Sequence, residues 1–163
     1  MSEGIEHLEG RLVELVGQYR EAYQSRDLGQ MMELFADEAE VVWAAGAFRG
    51  KDTIRKVFEW DFDLSPTATV RDVGIGVIAS GHTIVWEQVM DLTAEGVPYQ
   101  EQAVTLIEVD EHCRIRSLRS YYDKLGIMHE IASGYPGLQG RVFRALTGYL
   151  VRQGSKGLDV APG

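Results

Sequence analysis

The chain has one cysteine in 163 residues, Cys113. It can form no internal disulfide, and neither C-x-x-C nor the Cys/His spacing of a structural metal site occurs. Stability must therefore come from a buried core, for which this length suffices in a single domain. A reducing, cytoplasmic setting is the expectation. Positive charge is also scarce, with 16 Lys and Arg against 25 Asp and Glu and a formal net charge of -9. Proteins that hold a phosphate backbone carry basic stripes, so no nucleic acid partner is expected. The one basic cluster, Arg114, Arg116, Arg119 and Lys124, is interleaved with Glu108, Asp110, Glu111 and Asp123. It reads as a solvated, paired face. No run approaches the roughly 18 apolar residues of a membrane helix, and the acidic start, Met1 to His7, has no basic flank or apolar run of a signal peptide. No membrane partner is expected. A Gly-x-Ser-x-Gly elbow, a phosphate-binding glycine loop and His-Glu-x-x-His are missing too, so the chain is read as using no metal and no cofactor.

What is present is a change of hydrophobic period halfway along. Over residues 5–25, Leu8, Leu12, Leu15, Val16, Tyr19, Ala22 and Tyr23 recur three or four apart, the pattern of an amphipathic helix. Asp27 and Gln30 form a capping pair for a short second helix carrying Met31, Met32, Leu34 and Phe35. A short strand is expected over residues 40–44, then a turn between Gly46 and Gly50, then a third helix with Ile54, Val57 and Phe58 on one face. Ser65-Pro66 closes it, because a residue before proline disfavours the helical conformation. From residue 67 the period is two. Four strands are expected near 67–79, 83–93, 98–109 and 114–123, separated by turn signals at residues 80–82, 95–96 and 110–112. The first would place Val73, Ile75, Val77 and Ala79 on one face, and its Gly74 and Gly76 signal a bulge or sharp bend. Long consecutive strands with short turns pair antiparallel, and helices followed by strands make an α+β fold. After Lys124 come two helical segments broken at residues 134–137, and residues 154–163 read as a loose tail.

The order of these elements resembles the nuclear transport factor 2-like superfamily, which includes the SnoaL-like proteins and the ketosteroid isomerases. Tyr19-Arg-Glu-Ala-Tyr23, Arg26-Asp-Leu28, Leu34-Phe-Ala-Asp-Glu-Ala39, Phe48-Arg-Gly-Lys-Asp-Thr-Ile54, Val109-Asp-Glu-His-Cys-Arg-Ile115 and Arg119-Ser-Tyr-Tyr-Asp123 carry the resemblance, over roughly residues 8–128. It implies a cone, with N-terminal helices packed on a highly curved antiparallel sheet over residues 1–134. Residues 135–163 would be a C-terminal helical extension and tail of the same domain. Such a scaffold hosts many reactions and plain binders, so the site has to be argued residue by residue.

The resemblance to ketosteroid isomerases implies an aspartate base opposite a tyrosine and a protonated aspartic acid. Tyr19 falls on the tyrosine, but Trp43 stands at the base and Thr105 at the protonated acid. The Asp-Arg-Asp cluster of limonene epoxide hydrolases falls near Gln88 and Met90 and on Ser120, and no histidine pair of the scytalone dehydratase kind can be picked from His7, His82, His112 and His129. Strand parity puts Trp43, Trp86, Gln88, Met90, Thr105, Leu118, Ser120 and Tyr122 on the concave face as a substrate-binding lining. That is an apolar and aromatic pocket with a few neutral hydrogen-bonding groups. Tyr19, Glu101 and His129 are the candidate catalytic groups. Glu101, near the start of its strand, is expected at a solvated mouth, and His129 carries an imidazole, the side chain whose unperturbed chemistry suits proton transfer near neutrality. Two functions fit. One is a cofactor-independent isomerase, cyclase or dehydratase acting on a hydrophobic polyketide-, terpenoid- or steroid-like small molecule. The other is a non-catalytic binding or carrier protein with the same pocket. A homodimer is expected in either case, since Val85, Val89, Val104 and Leu106 leave apolar surface on the convex face.

Overall fold

The computed structural model describes residues 2–43, 46–94, 96–134, 136–154 and 156. Most of the tail, residues 157–163, and the turn residues 95 and 135 lie outside the described residues. The apolar stripe of the first helix, α1 (Ser2–Ser25), is the inner surface of the helical layer, with Leu12, Val16, Tyr19, Ala22 and Tyr23 all buried. Asp27 ends the turn that follows by accepting the Gln30 backbone N–H at 2.9 Å, the expected cap of α2 (Leu28–Glu33). Phe35 does not continue that helix. It opens strand β1 (Phe35–Trp43), where its ring is fully buried. The stretch from Gly46, read as a turn, is a second strand, β2 (Gly46–Arg49), which pairs antiparallel with β1 as a hairpin. Helix α3 (Lys51–Leu64) follows and stops at Ser65, ahead of Pro66 as expected.

Strands β3 (Ala68–Ser80), β4 (Thr83–Ala94), β5 (Val97–Val109) and β6 (Ile115–Tyr122) form the antiparallel meander. The six-stranded sheet is ordered β2-β1-β6-β5-β4-β3, and β1 runs parallel to its neighbour β6. Sequence patterning misses that parallel pair because the chain passes through most of the domain between the two strands. Strand β3 carries a bulge. Its register against β4 slips between Asp72 and Val77, where Gly74 and Gly76 adopt φ of +54° and +62°. The slip corrects the expected face of this strand. Val77 and Ala79 pack on the core, but Ile75 is 58% exposed.

Two helices finish the domain. Helix α4 (Lys124–Gly134) runs back along β5, where Glu130 accepts the Gln100 backbone N–H at 2.9 Å. Helix α5 (Gly137–Gly154) packs on α4 and leaves Leu138, Val142, Leu146 and Tyr149 exposed. No helix among the described residues is long and apolar enough to cross a membrane.

The bulge yields a graded stability prediction. Alanine at Gly81, which turns β3 into β4 at φ +57° with open space around it, pays only for the left-handed backbone, about 1 kcal/mol. Alanine at Gly74 must also displace the Glu87 carboxylate, which accepts the Ile75 N–H at 2.9 Å, for a total of about 2 kcal/mol. Urea denaturation should rank Gly74→Ala below Gly81→Ala, and both below the parent.

Candidate active site

Strand parity brings Ile84, Trp86, Gln88, Met90 and Leu92 of β4, and Glu101, Ala103, Thr105 and Ile107 of β5, to the concave face, all of them buried. The narrow end of the cone is then filled rather than hollow. The Tyr19 ring meets Trp86, Tyr23, Phe35 and Phe58 at centroid distances of 6.0–6.4 Å. Only a void of about 20 Å³ remains there, lined by Tyr19, Trp43, Trp86, Gln88, Met90, Leu118 and Ser120 among others. The expected polar cluster lies at this end and bonds mainly to itself. Gln88 Nε2 donates to Thr105 Oγ1 at 3.1 Å, and Thr105 Oγ1 lies 3.0 Å from Ser120 Oγ. The Trp86 indole N–H donates to Asp72 at 2.9 Å.

The open space lies nearer the wide end, between α3, the sheet and α4. This cavity measures about 590 Å³, and Trp43, Trp60, Leu64, Leu92, Tyr99, Tyr122 and Ile127 contribute to its walls. Of the residues named from sequence, it gathers Trp43, Glu101 and Tyr122. His129 is elsewhere, on the flank of α4 that faces α5, with Nδ1 2.7 Å from Thr147 Oγ1.

Two carboxyl groups stand in this apolar cavity. Glu101 is 5% exposed, not the solvated residue its strand-end position suggests, because α4 covers that end of β5. Its Oε1 is buried without a hydrogen-bond partner. Burial, reinforced by Asp61, lifts the Glu101 pKa to about 7. Asp61, 7% exposed, is the functional candidate that sequence patterning missed. A signal for it exists: Asp61 continues the stripe of Ile54 and Phe58 at i, i+4 and i+7, which places a carboxylate on the buried face of α3.

Asp61 is held on one side. The Tyr23 hydroxyl donates to its Oδ2 at 2.8 Å. Behind that tyrosine lies Arg26, in the left-handed region at φ +57°, its guanidinium carbon 4.7 Å from the Tyr23 ring centroid and 4.8 Å from that of Phe62. Burial raises the Asp61 pKa to about 6, while the Tyr23 hydrogen bond and the Arg26 charge hold it down. Burial likewise pushes the Tyr19 and Tyr23 hydroxyls well above the usual tyrosine range, so both stay protonated. Among the described residues no group of three His, Cys, Asp or Glu side chains is placed to hold a metal ion.

Residues 16–118, well over half of the chain, match the family model of the SnoaL-like domain. The chain belongs to that family. Solved structures give this SnoaL-like chain the nuclear transport factor 2-like fold. It is similar to a protein of ketosteroid isomerase-like fold from Catenulispora acidiphila, solved in complex with trimethylamine: 20% identity, TM-score 0.66, 76% of this chain and 94% of that one. An LEH-like epoxide hydrolase from M. tuberculosis aligns at 17% identity and TM-score 0.66, over 85% of this chain and 97% of that one. A candidate polyketide cyclase from Sinorhizobium meliloti aligns at 16% and 0.57, over 66% and 94%. No curated protein matches. At these identities the likeness establishes the fold and leaves the reaction to the site.

The buried acids make stability depend on pH in a direction opposite to that of salt-bridged carboxylates. Glu101 keeps its proton to about pH 7 when folded but loses it near 4.5 when unfolded. The native state therefore binds the extra proton, and its stabilising effect, full below 4.5, is lost as pH rises to 7. At about 1.4 kcal/mol per pH unit this amounts to something on the order of 3 kcal/mol. Glu101→Gln should gain stability relative to the parent by that order between pH 4 and pH 8, measured by denaturant titration. Tyr23→Phe removes a donor that favours ionised Asp61, so the Asp61 carboxyl should titrate above 6 by carbon-detected NMR.

Proposed function

We propose that this SnoaL-like protein is a cofactor-independent acid–base catalyst, an isomerase, cyclase or dehydratase, acting on a hydrophobic polyketide-, terpenoid- or steroid-like small molecule. The observation that carries this reading is the Glu101 Oε1 atom, buried without a partner on the wall of a roughly 590 Å³ apolar cavity. A buried carboxyl oxygen left unpaired costs stability unless a molecule in the cavity pairs with it. Poised near neutrality, Glu101 can both take and return a proton, which is what a general base must do within one turnover. Asp61, oriented by Tyr23, serves as the second acid. Because Asp61 ionises before Glu101, the reacting form is the minority one of the singly protonated pair, with the proton on Asp61 and Glu101 ionised. There Asp61 donates to an oxygen on which negative charge develops.

In the isomerase form of this reaction, Glu101 removes a proton from a carbon beside a carbonyl. Where that carbon also adjoins a C=C bond, the C–H electron pair forms a dienolate whose oxygen accepts from Asp61. Glu101 then returns the proton to the far carbon of the C=C bond, which moves next to the carbonyl. Tyr19 takes no direct part, packing one layer beneath the two acids, and His129 stays with Thr147. The aromatic lining of Trp43, Tyr99 and Tyr122 suits a flat apolar ligand. The exposed pair Val104 and Tyr121, adjacent on the outer face of β5 and β6, supports a homodimer.

A carrier with the same pocket is the second reading. The filling of the family's usual acid positions by Trp43 and Thr105 favours it. The two separate in heavy water. Hydrophobic ketones incubated with the protein should take up deuterium beside the carbonyl, followed by proton NMR, and Glu101→Gln should slow this uptake at least about 100-fold while still binding. Tryptophan quenching without deuterium uptake by the parent assigns the carrier. Neither response removes both readings for such ketones.

A further inference from the structure

Resting on the reading of this cavity as the ligand site, the charge balance within it narrows the ligand's chemistry. Asp61 already has a cation at hand, the Arg26 guanidinium held between the Tyr23 and Phe62 rings, and a hydrogen bond from Tyr23. Glu101 has neither. Its neighbours on the concave face are Met90 across the ladder, Tyr99 and Ala103 along its own strand, and Tyr122 opposite Ala103. Trp43 and the half-exposed Trp60 complete an aromatic wall around the cavity. An ionised carboxylate that lacks a counter-charge, inside walls whose ring faces attract cations, is the make-up of a site for a positively charged nitrogen.

We propose that the ligand carries a tertiary or quaternary amine on an apolar body, its cation seated against Glu101 and between the aromatic rings. An anionic head group at that place would face two buried acids. Lys56 and Lys124 also border the cavity, but both are exposed, so water and salt weaken their repulsion of an entering cation. Glu101, 5% exposed, is screened far less by water and salt and keeps its attraction. The net charge of -9 draws cations to the protein at longer range.

The probes are benzyltrimethylammonium, whose charge is fixed at every pH, and neopentylbenzene, its neutral carbon counterpart of the same shape, with binding followed by tryptophan fluorescence. At pH 8 the cation should bind at least about tenfold more tightly than the neutral compound, against equal binding if shape alone counts. The preference should collapse in Glu101→Gln. It should also collapse in the parent at pH 5, where Glu101 and Asp61 are both protonated. This second arm needs no variant to fold. Among the described residues the other titratable groups lining this cavity are Tyr23 of α1, Lys56 of α3, Tyr99 of β5, Tyr122 of β6 and Lys124 of α4. Burial pushes the Tyr23 and Tyr99 hydroxyls above the usual tyrosine range, well away from these pH values. Equal binding of the two probes, a neutral preference, or a cation preference that survives at pH 5 overturns the proposal and leaves the acid–base reading standing. Failure of both probes to bind overturns the proposal together with the reading of the cavity as a ligand site.

Discussion

The packing of one aromatic ring decides where this cone is solid and where it is empty. Tyr19 sits among Tyr23, Phe35, Phe58 and Trp86, so rings from α1, α3, β1 and β4 meet at a single point. Aromatic side chains bury large areas in few conformations, and a cluster of this size closes the narrow end of a curved sheet. Gln88, Thr105 and Ser120, which strand parity places on the pocket face, are trapped there and satisfy mainly one another. The space a ligand can occupy is displaced toward the wide end, where α3 and α4 form its sides.

That displacement explains the chemistry of the cavity. The resemblance to ketosteroid isomerases implies acids on the first strand and deep on the sheet, at positions that Trp43 and Thr105 hold here. Carboxyl groups have instead come from elsewhere, Asp61 from the inner stripe of α3 and Glu101 from the covered end of β5. Each is dry, but they differ in what surrounds them. Tyr23 and Arg26 stabilise charge on Asp61, whereas among the described residues Glu101 Oε1 has no hydrogen-bond partner. Two acids with environments of different sign can divide the work of holding a charge and moving a proton.

Much of the fold was legible because periodicity reports it directly. The buried stripe of α1, the Asp27 cap, the stop before Pro66 and the concave parity of β4 and β5 all follow from local spacing and chemistry. The errors fall where long-range pairing overrides a local signal. Phe35 reads as the end of a helix until Leu34 and Ile115 bond across 81 positions. Ile75 reads as an inward residue until the glycine bulge rotates it out. Of the site, Trp43, Glu101 and Tyr122 were legible from parity. Asp61 was not, because a lone acid after an apolar stripe looks like the solvated end of a helix.

By itself, then, the sequence determined the class of fold, the bulge signalled by Gly74 and Gly76, and which side chains share the concave face, since each depends on residues close along the chain. Only the tertiary structure decided which of those side chains border open space. Burial of Glu101 requires α4 to cross β5, and the pairing of Asp61 with Tyr23 requires α3 to lie against α1, contacts between segments about 30 to 40 residues apart. Desolvation is a property of everything packed around a group, and neither composition nor local spacing reports it.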